Sequence, residues 1–123
     1  MKPRVLVADD EEGVRESINL ILSDECDVTF AMNGEEALER LTNESFRVVF
    51  LDIKMPRLDG LDVLRQLKAR GIHAPILMLT AYQSVELAQE AVKLGALDYL
   101  SKPFDRDQIL TTVRGILNKT TAQ

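Results

Sequence analysis

Short apolar runs alternate with amphipathic stretches along the whole chain. The apolar runs are typical of strands buried on both faces, and the run 48–51 leads directly into Asp52. Between the runs, apolar residues recur every three or four positions, which is the spacing of one face of a helix. The apolar runs predict five strands, over residues 4–8, 27–31, 46–51, 76–79 and 97–100.

Each predicted strand is followed by a stretch that carries helix start or stop signals. Asn33 with Glu36, and Asp105 with Gln108, have the spacing of a capping box, in which two side chains satisfy backbone amides at the start of a helix. Gly71 is typical of a helix stop. The other predicted caps and stops are Asp59, Ser84 and Gly95. The inward face of the fourth helix is predicted to consist of Val85, Ala88, Ala91 and Val92.

The strand–helix alternation predicts an α/β fold. Five such repeats imply a parallel sheet with helices on both faces and right-handed crossovers. For a chain of 123 residues, a doubly wound five-stranded sheet of order 2-1-3-4-5 is the leading choice. We expect one domain over residues 1–118, with 119–123 as a tail or the start of a linker.

Composition narrows the class of protein. The net charge of −5 argues against nucleic-acid binding by this domain, and a single cysteine, Cys26, excludes an internal disulfide. The apolar runs are too short to span a bilayer, and no signal peptide precedes the first strand. The sequence therefore predicts a cytoplasmic domain that does not contact a membrane.

Chemically useful side chains stand at the ends of the predicted strands. Asp9 and Asp10 follow the first strand, Asp52 the third, Thr80 the fourth and Lys102 the fifth. Because the carboxyl ends of parallel strands share one edge of the sheet, these side chains are expected to converge where strands one and three are neighbours.

Three carboxylates at one place require cations. Two unit charges ~4 Å apart repel by about 4 kcal/mol at an effective dielectric constant of 20. Lys102 is one cation, and Mg²⁺ is the natural second because it prefers oxygen ligands. Such a site suits a phosphoryl group, with Asp52 as the nucleophile that forms an acyl phosphate and with Asp9 and Asp10 as metal ligands.

The ordered set of motifs closely resembles the receiver domain of bacterial two-component response regulators, over about residues 2–117. No single motif is specific, but the complete set in this order is. The 91–105 segment is also similar to receivers of nitrogen-regulation-type transcription regulators. The matching residues are Asp9-Asp10, Asp52, Met55-Pro56, Asp59-Gly60, Thr80-Ala81, Gly95-Ala96, Asp98-Tyr99-Leu100 and Lys102-Pro103-Phe104.

The resemblance implies a phospho-acceptor. Asp52 would accept a phosphoryl group from a sensor histidine kinase or phosphotransfer protein. Mg²⁺, or alternatively Mn²⁺, would be bound directly by Asp10, Asp52 and the backbone carbonyl of Lys54, and by Asp9 largely through water. Lys102 would pair with the phosphoryl group.

The resemblance also implies a switch. Thr80 would hydrogen-bond to the phosphoryl group while Tyr99 turns inward, and the Lys102–Pro103 peptide bond would be cis. The side chains of Lys54 and Tyr82 would tune the phosphoryl lifetime, with Tyr82 shielding the acyl phosphate from water.

The expected output is a binding surface rather than a product, so the chain is not predicted to be an enzyme beyond self-phosphorylation from small donors and self-dephosphorylation. Phosphoryl charge would shift the population towards a state with an altered surface on the fourth helix, fifth strand and fifth helix. That surface would control an output domain or target protein, with transcription regulation expected, or form a homodimer. Lys93, Asp98 and Arg114 are either solvated charges or inter-subunit ion-pair partners there.

Three other classes fit the sequence less well. Phosphatases of the haloacid dehalogenase type need Asp-x-Asp after strand one, whereas here Asp9 and Asp10 are adjacent. A flavodoxin-like carrier needs a first loop that cradles phosphate, which the acidic run 9–12 would repel. A receiver that is never phosphorylated is the third alternative, although every chemical residue is present.

Overall fold

A computed structural model of the chain describes residues 2–81 and 85–121. Within these residues, five strands alternate with five helices, as the sequence predicts. The strands are β1 (Arg4–Ala8), β2 (Asp27–Ala31), β3 (Val48–Asp52), β4 (Ile76–Thr80) and β5 (Asp98–Ser101). The helices are α1 (Glu12–Leu22), α2 (Gly34–Asn43), α3 (Gly60–Ala69), α4 (Val85–Lys93) and α5 (Arg106–Thr121).

The five strands form one parallel sheet of order β2-β1-β3-β4-β5, which confirms the predicted fold class. The central strand β3 is buried over its whole length. Asp52 and Thr80 are the last residues of β3 and β4, at the strand ends where the sequence places them, while β5 runs one residue further than expected, to Ser101. The ladder hydrogen bonds therefore extend to the polar residues, which fixes the backbone from which those side chains project.

The core has one layer on each face of the sheet. On one face, Leu6, Val49 and Met78 pack with apolar residues of α2, α3 and α4. On the other face, Val7 and Phe50 pack with apolar residues of α1 and α5. This two-sided burial explains why the strands are continuous apolar runs rather than alternating ones.

Side-chain caps begin three of the helices as predicted. Asn33 accepts a hydrogen bond from the Glu36 amide at 2.9 Å, while Glu36 accepts one from the Met32 amide rather than from that of Asn33. Asp105 and Gln108 form the full reciprocal capping box, with hydrogen bonds of 2.8 and 2.9 Å. At the start of α3, Asp59 accepts from the Asp62 amide at 2.8 Å. The predicted Ser84 cap lies outside the described residues.

The predicted inward face of α4 is wrong in one position. Ala88 and Ala91 are buried, but Val92 is 51% exposed. The side chain of Val85, the fourth predicted residue, lies outside the described part of the structure. Leu87 and Leu94, four residues before and three after Ala91, pack against the core instead. The buried face of α4 is therefore centred on Ala91, and Val92, the next residue, points away from the core.

The C-terminal helix α5 continues to Thr121, three residues past the domain end expected at residue 118. Gly71 and Gly95 both have positive φ angles, 68° and 111°, as expected of glycines just after a helix. Within residues 2–81 and 85–121, no helix combines the length and apolar character needed to cross a membrane.

Candidate functional site

The candidate site lies at the carboxyl edge of the sheet, around the end of β3. Asp9 follows β1 directly, and its amide donates to Ala31 of β2 at 3.1 Å. Asp52 pairs with Leu79 in the β3–β4 ladder, so that Thr80 is one residue further along the same edge. The Lys102 amide donates to the Thr80 carbonyl at 2.8 Å, which ties the start of the β5–α5 loop to the end of β4. The backbone thus brings the predicted side chains to one edge.

Four carboxylates gather there. Each of Asp9, Asp10, Glu11 and Asp52 offers an oxygen atom, and these atoms all lie within 4.8 Å of one another. Asp9 and Asp52 are buried, whereas Asp10 and Glu11 are exposed. The cluster therefore has a buried half at the end of the sheet and an open half that faces solvent.

The Lys102 ammonium lies among three of these carboxylates. Its Nζ is 2.8 Å from Asp9 Oδ2, 3.4 Å from Asp52 Oδ2 and 3.3 Å from Glu11 Oε1. Only the contact with Glu11 has the geometry of a hydrogen bond among those three. Because Lys102, Asp9 and Asp52 are all largely buried, the contacts of Lys102 with these two carboxylates operate away from bulk water and are weakly screened, whereas its contact with the exposed Glu11 is open to screening by salt.

Burial and like charge make Asp52 a weak acid. The pKa of Asp52 is raised to about 7, chiefly by burial and secondly by the charge of Asp9, against the opposing effect of Lys102. The pKa of Lys102 is raised, since its contacts with Asp9 and Asp52 outweigh the burial that disfavours the ammonium. A cation that enters the cluster would stabilise the ionised Asp52 carboxylate.

The cluster fits a hard divalent cation. Asp9 Oδ2 is buried and is ion-paired with Lys102 at 2.8 Å, but it accepts no hydrogen bond from the described residues, so it retains capacity for a further donor such as a metal-bound water. The neighbouring oxygens of Asp10 and Asp52 complete an all-oxygen donor set next to solvent. Such a set suits Mg²⁺, which keeps several of its own waters.

The loop after Asp52 is held close to the site. The Gly60 amide donates to the Ile53 carbonyl at 2.7 Å, and a Cβ atom on Gly60 would lie 2.3 Å from the Asp52 carbonyl oxygen. Only glycine fits there, so α3 begins directly against the end of β3. Lys54, the predicted backbone ligand, is exposed in this loop.

The remaining sequence predictions have mixed outcomes. The Lys102–Pro103 bond is cis as expected. Tyr99 is 44% exposed on β5 and is not part of the carboxylate cluster. Arg114 makes a bidentate ion pair with Glu25 of the same chain, at 3.2 and 2.8 Å. Tyr82 lies outside the described residues.

The sequence analysis missed Glu11. It is the residue before α1 and provides no side-chain cap to that helix, so its carboxylate is available to Lys102. The signal was a third acidic residue directly after Asp9 and Asp10, at a position where glutamate is a poor N-cap.

Comparison with known proteins gives consistent results. Residues 5–114 match the family model of the response regulator receiver domain. A response regulator MprA from Mycolicibacterium vanbaalenii is 44% identical over 122 residues, which are 98% of this chain and 53% of that protein. A response regulator MprA from Mycobacterium tuberculosis is 43% identical over 121 residues, again 98% of this chain and 53% of that protein. The chain thus spans about half the length of the curated relatives it matches.

Solved structures agree on the fold. The receiver domain of the Francisella response regulator 1452 superposes with a TM-score of 0.90 at 35% identity, covering 97% of this chain and 99% of that one. NtrX from Brucella abortus superposes with a TM-score of 0.87 at 32% identity, covering 99% of this chain but 28% of that one.

Proposed function

We propose, since the chain belongs to the family of response regulator receiver domains, that Asp52 is its phospho-acceptor. Receiver domains of this family are the phosphoryl-accepting modules of two-component signalling, and they are not classical enzymes. The observation that carries the assignment is the position of Asp52: it is the buried last residue of the central strand, with the Lys102 ammonium 3.4 Å away.

The residues of the cluster have separate roles in the proposed reaction. An Asp52 carboxylate oxygen bonds to the phosphorus of a phosphohistidine as the P–N bond breaks, and the imidazole leaves with the electron pair. Lys102 balances the charge on the transferred oxygens. The Thr80 hydroxyl, at the same edge of the sheet, donates a hydrogen bond to one of the transferred phosphoryl oxygens.

We assign Asp10, Asp52 and the Lys54 carbonyl as direct Mg²⁺ ligands, with Asp9 acting through water. Bound Mg²⁺ supplies positive charge that offsets the carboxylates and the phosphoryl oxygens. Asp9 Oδ2 supports this assignment, because it is ion-paired with Lys102 but accepts no hydrogen bond from the described residues, and a metal-bound water would donate one. Mn²⁺ satisfies the same oxygen donors. Lys54 and Tyr82 remain the proposed determinants of phosphoryl lifetime.

The proposed output is a change in the surface formed by α4, β5 and α5. Phosphorylation adds about −1.5 to −2 charge, which favours the state in which Thr80 and Lys102 close on the phosphoryl group and Tyr99 turns inward. Response regulators work with histidine kinases and output domains, and we propose both as partners here, with transcription as the regulated process. We further propose that the domain is cytoplasmic and does not itself contact nucleic acid.

The assignment of Asp52 is tested by acetyl phosphate and Mg²⁺, with intact mass as the readout. We expect one added phosphoryl group on the wild type, none on Asp52→Asn, and none when EDTA removes Mg²⁺. The matched control is Asp59→Asn in the same loop, which keeps its helix cap because asparagine also caps, and should be phosphorylated normally. A phosphoryl adduct of equal yield on Asp52→Asn would show that the acceptor is another residue. No adduct on the wild type would reject the proposal.

A further inference from the structure

The Lys102 ammonium has more partners than it can keep after phosphorylation. In the structure Asp9, Glu11 and Asp52 all lie within 3.4 Å of Nζ. When a phosphoryl group occupies Asp52, its oxygens need the same ammonium. One of the present contacts must then be given up, and the structure shows which one can be released most easily.

Glu11 is the partner that can leave. Its carboxylate is 64% exposed, so water can replace Lys102 at little cost in solvation, whereas the Asp9 side chain is fully buried. The backbone of Glu11 stays fixed during such a change, because its amide donates to Asp9 Oδ1 at 2.9 Å. The Glu11 side chain can therefore swing away without movement of α1.

Glu11 nevertheless holds Lys102 in the unphosphorylated protein. Its Oε1 accepts a hydrogen bond from Nζ, the one hydrogen bond among the three ion-pair contacts. Glu11 thus holds the ammonium from the solvent-exposed side of the cluster, while Asp9 contacts it at 2.8 Å from the buried side. A contact made in only one of two states shifts the equilibrium towards that state by its own free energy.

We propose that Glu11 is a positioning residue that competes with the phosphoryl group for Lys102 and so favours the unphosphorylated state. This inference rests on the proposed phosphorylation of Asp52. Glu11 is not assigned as a metal ligand, and its effect is expected to persist when Mg²⁺ is saturating.

The test is the affinity of beryllium trifluoride, a mimic of the phosphoryl group, at saturating Mg²⁺. Calorimetry first gives the Mg²⁺ affinity of each variant, so that saturation is assured. We expect Glu11→Gln to bind beryllium trifluoride about two- to fivefold more tightly than the wild type, the effect of an exposed ion pair. The gain should shrink at high salt. Glu12→Gln removes the same charge one residue away and serves as the matched control, with little change expected.

Glu11→Asp separates contact from general charge. Aspartate keeps the negative charge but is one methylene shorter, and at this N-cap position it is expected to bond the amides of α1 instead of Lys102. Glu11→Asp should therefore resemble Glu11→Gln. If Glu11→Asp resembles the wild type while Glu11→Gln binds more tightly, repulsion by charge alone explains the effect and the contact has no role.

The outcomes also separate this inference from the assignment of Asp52. Unchanged affinity in Glu11→Gln, with normal binding to the wild type, would overturn the role of Glu11 alone. No binding of beryllium trifluoride to the wild type would overturn the assignment of Asp52, and the role of Glu11 with it.

Discussion

At the scale of single residues, the burial of Asp52 at the site lowers the stability of the folded protein, and its raised pKa shows this. Its ordinary pKa is 3.8, and in the folded protein it is about 7. Between these values the folded protein keeps a proton that the unfolded chain has lost, so the stability contributed by this group falls as pH rises. Below pH 3.8 the ionisation of Asp52 does not reduce the free energy of unfolding, and above pH 7 the reduction has reached its full value.

The first prediction follows from this decrease in stability with rising pH. At about 1.4 kcal/mol per pKa unit, the full penalty is on the order of 4 kcal/mol. Without Mg²⁺, Asp52→Asn should stabilise the domain, by about 3 kcal/mol more at pH 8 than at pH 5. Urea unfolding in EDTA at the two pH values measures the difference. The exposed Asp24 provides the control, since Asp24→Asn should show no such trend, and a gain for Asp52→Asn that does not increase with pH would contradict the prediction.

Most of the site was predictable at this scale because topology dictates it. Asp9, Asp52, Thr80 and Lys102 each end or follow a strand, and parallel strands present those ends on one edge. Glu11 was not predictable in the same way. Its contact with Lys102 depends on the direction in which the chain enters α1, which the apolar pattern does not specify.

At the scale of elements, α2 is held against the loop that follows Asp52. A Cβ atom on Gly34 would lie 1.9 Å from the Leu58 carbonyl oxygen and 2.5 Å from the Leu58 Cβ atom. The first of these neighbours is backbone, which cannot rotate away. The first turn of α2 therefore tolerates no side chain at Gly34, and its approach helps to fix the loop that contains Lys54.

The second prediction compares two helical glycines. Gly34→Ala should destabilise the domain by about 1–3 kcal/mol, since the added methyl group overpacks a rigid contact. Gly115→Ala, in the exposed part of α5 where a Cβ atom would meet nothing within 4 Å, should stabilise it by about 0.5–1 kcal/mol through helix propensity. Urea denaturation of both variants checks the pair. A Gly34→Ala variant as stable as the wild type would mean that the loop yields freely.

Elements were predicted well where local signals specify them, and less well where packing decides. The Asn33 and Asp105 caps follow from side-chain chemistry within four residues of sequence, and both are confirmed. The inward face of α4 depends on how the helix is rotated against β4 and β5. Alanines at 88 and 91 tolerate several rotations, so the sequence could not exclude Val92 from the core.

At the scale of the whole molecule, exposed apolar residues are unevenly distributed. Of the large hydrophobic residues that are exposed in the described part of the chain, three lie close together in sequence, at Val92, Leu97 and Tyr99. Isolated exposed apolar residues are ordinary, but a group of them is typical of an interaction surface. Arg114, a candidate inter-subunit partner from the sequence, is instead paired with Glu25. The apolar residues are therefore the better basis for testing association through α4, β5 and α5.

The third prediction concerns that association. If the α4–β5–α5 surface forms the proposed homodimer, Leu97→Asp should weaken self-association of the beryllium trifluoride-bound protein by about fivefold or more, since buried interface residues that matter contribute over 1 kcal/mol. Sedimentation velocity over a concentration series measures this. Met32→Asp is the matched control, because Met32 is 51% exposed, against 55% for Leu97, and it follows β2, the edge strand farthest from β5 in the sheet. Val92→Asp on α4 should have the same effect as Leu97→Asp, which lies just before β5. Equal loss of association in Met32→Asp would place the interface elsewhere, and unchanged association in both Leu97→Asp and Val92→Asp would remove α4 and the start of β5 from it.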